Sequence, residues 1–204
     1  MMFGPAKMVR ARFPQRQSSE RGQSMIETAL LLPILLLLAF NAINFGYFFF
    51  VVLNLAAAPR SGVQYSILGF ETPGQFTLPP AGPAGTSDSV SYVTYRDVQG
   101  VLRGWASAHV VVCGKQLGLD SQQARCCEAT SSTGACSPTG THAPFDPEVG
   151  AGGFRPFILN RVEITYQVTP IISAFELPTP AGPIPLTILP NLNFHRQVSM
   201  RAMD

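Results

Sequence analysis

From Thr28 to Leu53 the chain is almost wholly apolar. A helix rises about 1.5 Å per residue, so about 20 such residues cross a bilayer core. Apolar side chains here would fall on every face of a helix, unlike the single stripe of a soluble surface helix. The stretch is therefore read as a transmembrane helix rather than a buried core helix. Two residues disturb it. Glu27, at its edge, is a carboxylate that is costly in lipid and calls for a partner. Pro33, inside it, removes a backbone donor and tends to bend the rod.

Charge fixes an orientation. Lys7, Arg10, Arg12, Arg16 and Arg21 precede the apolar run against Glu20. The excess of basic residues on that side predicts a cytoplasmic N-terminus and an extracytoplasmic C-terminal body. Beyond residue 22, nine basic and eleven acidic residues remain, a net of −2. No basic patch survives in the body, so nucleic acid is not an expected partner. A secretory signal peptide is the rival for residues 1–58, with Ala56-Ala57-Ala58 as its cleavage site and a soluble chain from near Pro59. Its apolar region should run about 7–15 residues; this one is about twice that.

Gly22-Gln23-Ser24-Met25-Ile26-Glu27 resembles the processing site of the type IV pilin superfamily. The wider stretch RGQSMIETALLLPILLLLAFNAINFGYFF, followed by NLAAAPRSGVQYSI, resembles the TadE-like pseudopilins of the Tad (Flp) pilus system. The shared features are Arg-Gly before a Glu, Ala-Leu-x-Leu-Pro, a leucine run, an aromatic-Gly-aromatic step and Ala-Ala-x-Arg-x-Gly. The likeness is specific over about residues 21–67. It implies cleavage by a prepilin peptidase after Gly22, leaving Gln23 as the first residue and Glu27 as the fifth. It also implies a structural protein, not an enzyme, of the bacterial inner membrane. Its partners would be other pilins and the pilus assembly platform, met through the helix. Glu27 would pair with the freed amine of Gln23 on a neighbouring subunit, and partial pairing with an assembly platform protein is equally compatible with the sequence. Asn44 departs from the pattern, standing where many relatives carry an acid before Phe-Gly. Pro59 also departs, interrupting the alanine-rich segment and predicting a break or kink after Ala58.

The chain then divides into a basic leader over 1–22, a transmembrane and stalk helix over 23–68 kinked near 58–60, a Pro/Gly linker over 69–87 and a body over 88–204. Asn41 and Asn44 are three apart and share a helix face. Polar side chains in membrane helices tend to face other helices, so both are candidate assembly residues beside Glu27; simple toleration near the outer interface is the equal alternative. Gly46 would aid close approach on a neighbouring face.

In the body, Ser87 or Asp88 can cap a helix, and Val90, Val93, Val98, Leu102 and Trp105 recur at helical spacing. A helix is expected over 88–107 with Trp105 in the core, although SVSYVTY also alternates like a strand. HVVVC, residues 109–113, is a short β-rich run. Residues 114–157 read as an irregular, disulfide-pinned excursion. Arg161 to Val168 is the clearest strand, with Val162, Ile164, Tyr166 and Val168 on one face and polar residues on the other. A proline-rich extended connection over 171–193 leads to a closing strand over Phe194–Met203. The expected fold is α+β: a long N-terminal transmembrane helix, then a small antiparallel β-sheet packed on one helix face, loop-rich and disulfide-pinned.

Four cysteines, Cys113, Cys126, Cys127 and Cys136, suit two disulfides in an extracytoplasmic body. A bridge between adjacent Cys126 and Cys127 is disfavoured geometrically. Two pairings stay open: Cys113–Cys126 with Cys127–Cys136, or Cys113–Cys127 with Cys126–Cys136. A zinc site using these thiols and His142 is the rival, but no Cys-x-x-Cys spacing supports it. His109, His142 and His195 lie in no catalytic motif, and no phosphate-binding glycine loop follows a strand. No cofactor or metal is expected. Besides the pilus subunit, two readings of other classes remain: a permanently anchored extracytoplasmic binding module, and a secreted hydrolase resting on one of the histidines.

Overall fold

A computed structural model describes residues 20–68, 78–102, 108–129, 136–172, 176–179, 182–185 and 189–202. Trp105 lies outside the described residues.

Helix α1 spans Glu20–Leu68, 49 residues, and runs through both Pro33 and Pro59. No residue from Gln23 to Phe40 is buried. The first buried positions are Asn41 and Asn44, and from there a stripe of Val51, Leu55, Ala58 and Val63 is fully covered. The spacing of four and three from Val51 to Ala58, continued four residues on by buried Gly62, puts that stripe on one helix face. Half of α1 thus projects from the body and half is built into it.

Residues 78–87 lie against a short second helix, α2, Val90–Val98. Its first turn is well supplied with acceptors. Ser89 Oγ accepts from Tyr92 N–H, Pro80 C=O from Val90 N–H, and Ala81 C=O from Ser91 N–H. The expected helix over 88–107 is therefore too long. Gln99 and Gly100 form a turn, and the amides of Val101 and Leu102 both return to Val98 C=O. The apolar period that continues past Gly100 does not outweigh that residue's poor helix propensity.

The body sheet is antiparallel. Its strands are β1 (Ala108–Cys113), β2 (Leu119–Asp120), β3 (Gln123–Ala129), β4 (Ser137–His142), β5 (Leu159–Val168) and β8 (Leu192–Arg201). The order runs β3–β1–β5–β8, with β2 and β4 both paired to β3. Residues 114–157 are therefore not simply irregular: β3 and β4 extend the sheet there. Their sequences, QARCCEA and SPTGTH, lack apolar alternation; pairing to β1 holds β3, and pairing to β3 holds β4. Within the β5–β8 connection, β6 (Glu176–Thr179) and β7 (Gly182–Pro185) form a separate hairpin.

The core lies between α1, α2 and the inner sheet face. Val162, Ile164, Tyr166 and Val168 of β5 meet the α1 stripe, with Val90, Tyr95, Val98, Ala108, Val110 and Val112 completing it. Gly62 marks the crossing of the two helices. A Cβ there would overlap Thr94 Oγ1 and sit 3.3 Å from Val162 Cγ1. Tyr95, fully buried, points its hydroxyl at Ala108 C=O (2.6 Å) and Ala129 C=O (2.8 Å), joining α2 to β1 and β3. Burial pushes its phenol up to about 12, with a smaller contribution from the charge of Glu128.

Candidate functional site

The sequence-predicted assembly residues all lie on α1, and the fold separates them into two groups. Gly22 and Gln23 fall in its first turns, since the helix begins at Glu20. Gln23 Nε2 donates to Glu27 Oε1 at 3.2 Å across one turn, and both side chains are exposed. Glu27 is thus at the far end of the projecting helix, with only its own helix beside it among the described residues.

The other polar residues of the apolar run are handled locally. Thr28 Oγ1 donates to Ser24 C=O, Asn41 Nδ2 to Leu37 C=O and Asn54 Nδ2 to Phe50 C=O, each one turn back. Such back-bonding lets a short polar side chain sit in an apolar helix at little cost. Asn44 instead reaches across to the body. Its Nδ2 donates to Ile172 C=O at 3.2 Å and its Oδ1 accepts from Ile172 N–H at 3.0 Å. The amide expected to meet a neighbouring helix is fully buried and engaged within its own chain. Sequence reasoning missed this because the partner is 128 positions away.

At the other end of the docked helix, Asn160 Nδ2 donates to Ser66 Oγ at 3.1 Å, and Asn160 Oδ1 accepts from Lys115 N–H. Asn44 to Ile172 and Ser66 to Asn160 together define an antiparallel seam between α1 and β5. Beyond Asn160 stands the loop before β5. There Asp146, buried, accepts from Arg201 Nη2 at 3.2 Å and from Glu148 N–H. Arg201 also meets Glu148 at 3.0 Å and covers the Phe157 ring at 4.8 Å. These contacts, the Glu148 hydrogen bond first, raise its already high pKa.

The cysteines pair as Cys113–Cys126 and Cys127–Cys136. This is one of the two pairings the spacing left open. Cys113 and Cys126 are direct cross-strand partners on β1 and β3. With no free cysteine, the thiolates that zinc would need are not available. Among the described residues no group of three or more His, Cys, Asp or Glu could hold a metal. The three histidines stand apart, each against a carboxylate on another strand: His109 with Glu128, His142 with Asp120 and His195 with Glu163.

Among the described residues α1 is the one helix long and apolar enough to cross a membrane. The site of this chain is therefore a single-pass anchor whose second half is packed into the body. Comparison with known families agrees: a family model described as TadE-like protein matches residues 22–64. No curated protein and no solved structure is similar enough to this chain to count as a match.

Proposed function

We propose that this chain, TadE-like over residues 22–64, is a minor pilin or pseudopilin that takes part in assembling a Tad-type pilus. It is inserted in the inner membrane with residues 1–22 as a cytoplasmic leader and the body outside. A prepilin peptidase removes the leader after Gly22. The observation that carries the reading is that the family match, residues 22–64, lies wholly within α1 and starts at Gly22. The family match covers the projecting apolar half of α1 and continues into the half that docks on the body.

The chemistry fits each step. A glycine before the scissile bond offers no side chain to crowd a peptidase cleft. The scissile bond lies close to the start of α1, where helix ends fray. Glu27, exposed and at the tip, is available to the freed amine of Gln23 on a neighbouring subunit. In lipid that ion pair offsets part of two desolvation costs and sets the axial register between helices. Asn41, at the body's edge, lies on the same helix. Asn44 is assigned a different task, holding the body. The chain acts as a structural partner of pilins and platform proteins and needs no cofactor.

The test is the intact mass of membrane-extracted protein co-expressed with its prepilin peptidase, beside a Gly22→Ala variant. A wild-type chain beginning at Gln23 and an uncut variant support the reading. A full-length wild type supports a permanently anchored module instead, and a chain beginning near Pro59 a secretory signal.

A further inference from the structure

We infer that the turn at Pro170–Ile172 is a lipid-contacting foot, which seats the body directly on the outer face of the bilayer with the Ile171 side chain in the interface. This rests on the membrane-anchor reading of α1 and goes beyond it, since an anchor alone does not say how the body stands.

Length comes first. From Gln23 to Asn44 the helix climbs about 32 Å at about 1.5 Å per residue, against a hydrocarbon core of about 30 Å. If the span begins at the first residues past Arg21, its outer boundary falls at the level of Asn44. That is also where burial by the body begins. Among the described residues, nothing leaves a spacer between this level of the helix and the body.

Position comes second. Asn44 holds Ile172 by both its backbone N–H and its C=O. This places the end of β5, and the turn after it, beside the helix at its point of exit. A two-point contact from a fully buried side chain fixes that turn against α1 more firmly than a single bond.

Surface character comes third. Ile171, next to the clamped residue, is 43% exposed. Phe45 on α1 is likewise exposed at this level, and Phe49 is exposed about 7.5 Å further along the helix. From Thr169 to Asn191 the chain holds a single charged residue, Glu176. The opposite end of the body, marked by Ser66 and Asn160, carries Asp146, Glu148, Arg155 and Arg201. Exposed apolar side chains of Ile171 and Phe45, flanking a turn clamped to a transmembrane helix, match the chemistry of the headgroup–acyl boundary. A water-filled gap would leave the same side chains exposed beside a surface that can cover them.

The experiment uses the full-length chain in phosphatidylcholine vesicles, with lipids brominated either high on the acyl chain or near its middle. Trp105, the single tryptophan, is replaced by Phe. A tryptophan is then introduced by Ile171→Trp, by Leu35→Trp in the span, or by Phe154→Trp at the far end, where Phe154 is also exposed. We expect Leu35→Trp to be quenched most by mid-chain bromine. Ile171→Trp should be quenched by bromine high on the chain, with a blue-shifted emission maximum, and Phe154→Trp should be unaffected. Quenching at 171 no greater than at 154, with position 35 quenched, overturns the foot and leaves the anchor intact. An unquenched position 35 overturns the anchor and the foot with it.

Discussion

Gly62 of α1 lies so close to Thr94 of α2 that a methyl group on its α-carbon would occupy the space of the Thr94 hydroxyl. The contact gives a physical meaning to the glycine in the Ala-Ala-x-Arg-x-Gly stretch. It lets two helices cross within a layer that must also reach Val162 of β5. Gly62→Ala is expected to destabilise the body by about 1–3 kcal/mol through overpacking, despite alanine's better helix propensity. Thr94→Ala in the same chain should recover much of the loss. Chemical denaturation of both variants checks this, and equal midpoints for the single and double variants would sink it.

Tyr95 is expected to matter through its hydroxyl as much as its ring. Tyr95→Phe leaves the buried carbonyls of Ala108 and Ala129 without this donor, a loss of about 1–3 kcal/mol. The same residue predicts an alkaline limb. Its folded pKa of about 12 lies above the usual 10, so between these values the unfolded chain gives up its proton first. Stability from this group is intact below about pH 10 and falls as pH rises towards 12. The wild type should lose more stability over that window than Tyr95→Phe, measured by denaturant midpoints at each pH.

The two disulfides close short loops, with separations of 13 and 9 residues. Replacing either pair by serine should cost about 2–3 kcal/mol on the loop-entropy account. Peptide mapping under non-reducing conditions should recover Cys113 with Cys126 and Cys127 with Cys136. Recovery of Cys113 with Cys127 would contradict the strand register, in which Cys127 faces Val112.

Arg201 supports the loop before β5 through a carboxylate that cannot reach water. Asp146 is buried, and Arg201 meets it while also crossing the Phe157 ring. Arg201→Met keeps much of the side-chain bulk but leaves Asp146 short of its cation, so a lower denaturation midpoint is expected. Faster amide exchange at Glu148 and Gly150, whose N–H groups are bonded inside this loop, would report the loss locally.

The long helix and the strand at 161–168 were legible because each declares itself within its own residues. Lipid solvation writes an unbroken apolar run, and a half-buried strand writes alternation. The strand β8 was legible for the same reason. What could not be read was whatever depends on a distant partner. QARCCEA becomes β3 through β1, beside which it lies, and not through its own period. Asn44 read as a polar spot in a membrane helix, because nothing near it in the chain announces Ile172. α2 was overextended by the opposite error, since a helical period persisted through residues that Gly100 detaches from the helix. At the candidate site, the place of Gly22 and Glu27 at the start of the apolar helix could be read from the sequence. The seam that fastens the body to the same helix could not.

That seam has a mechanical consequence. Between Asn44 and Ser66, α1 lies antiparallel to β5 for about 33 Å at about 1.5 Å per residue. A pull along the helix axis therefore loads the whole stripe from Val51 to Val63 at once, in shear. It does not peel the contacts apart one by one. The body is attached to its anchor in the geometry that best resists a force directed through the anchor.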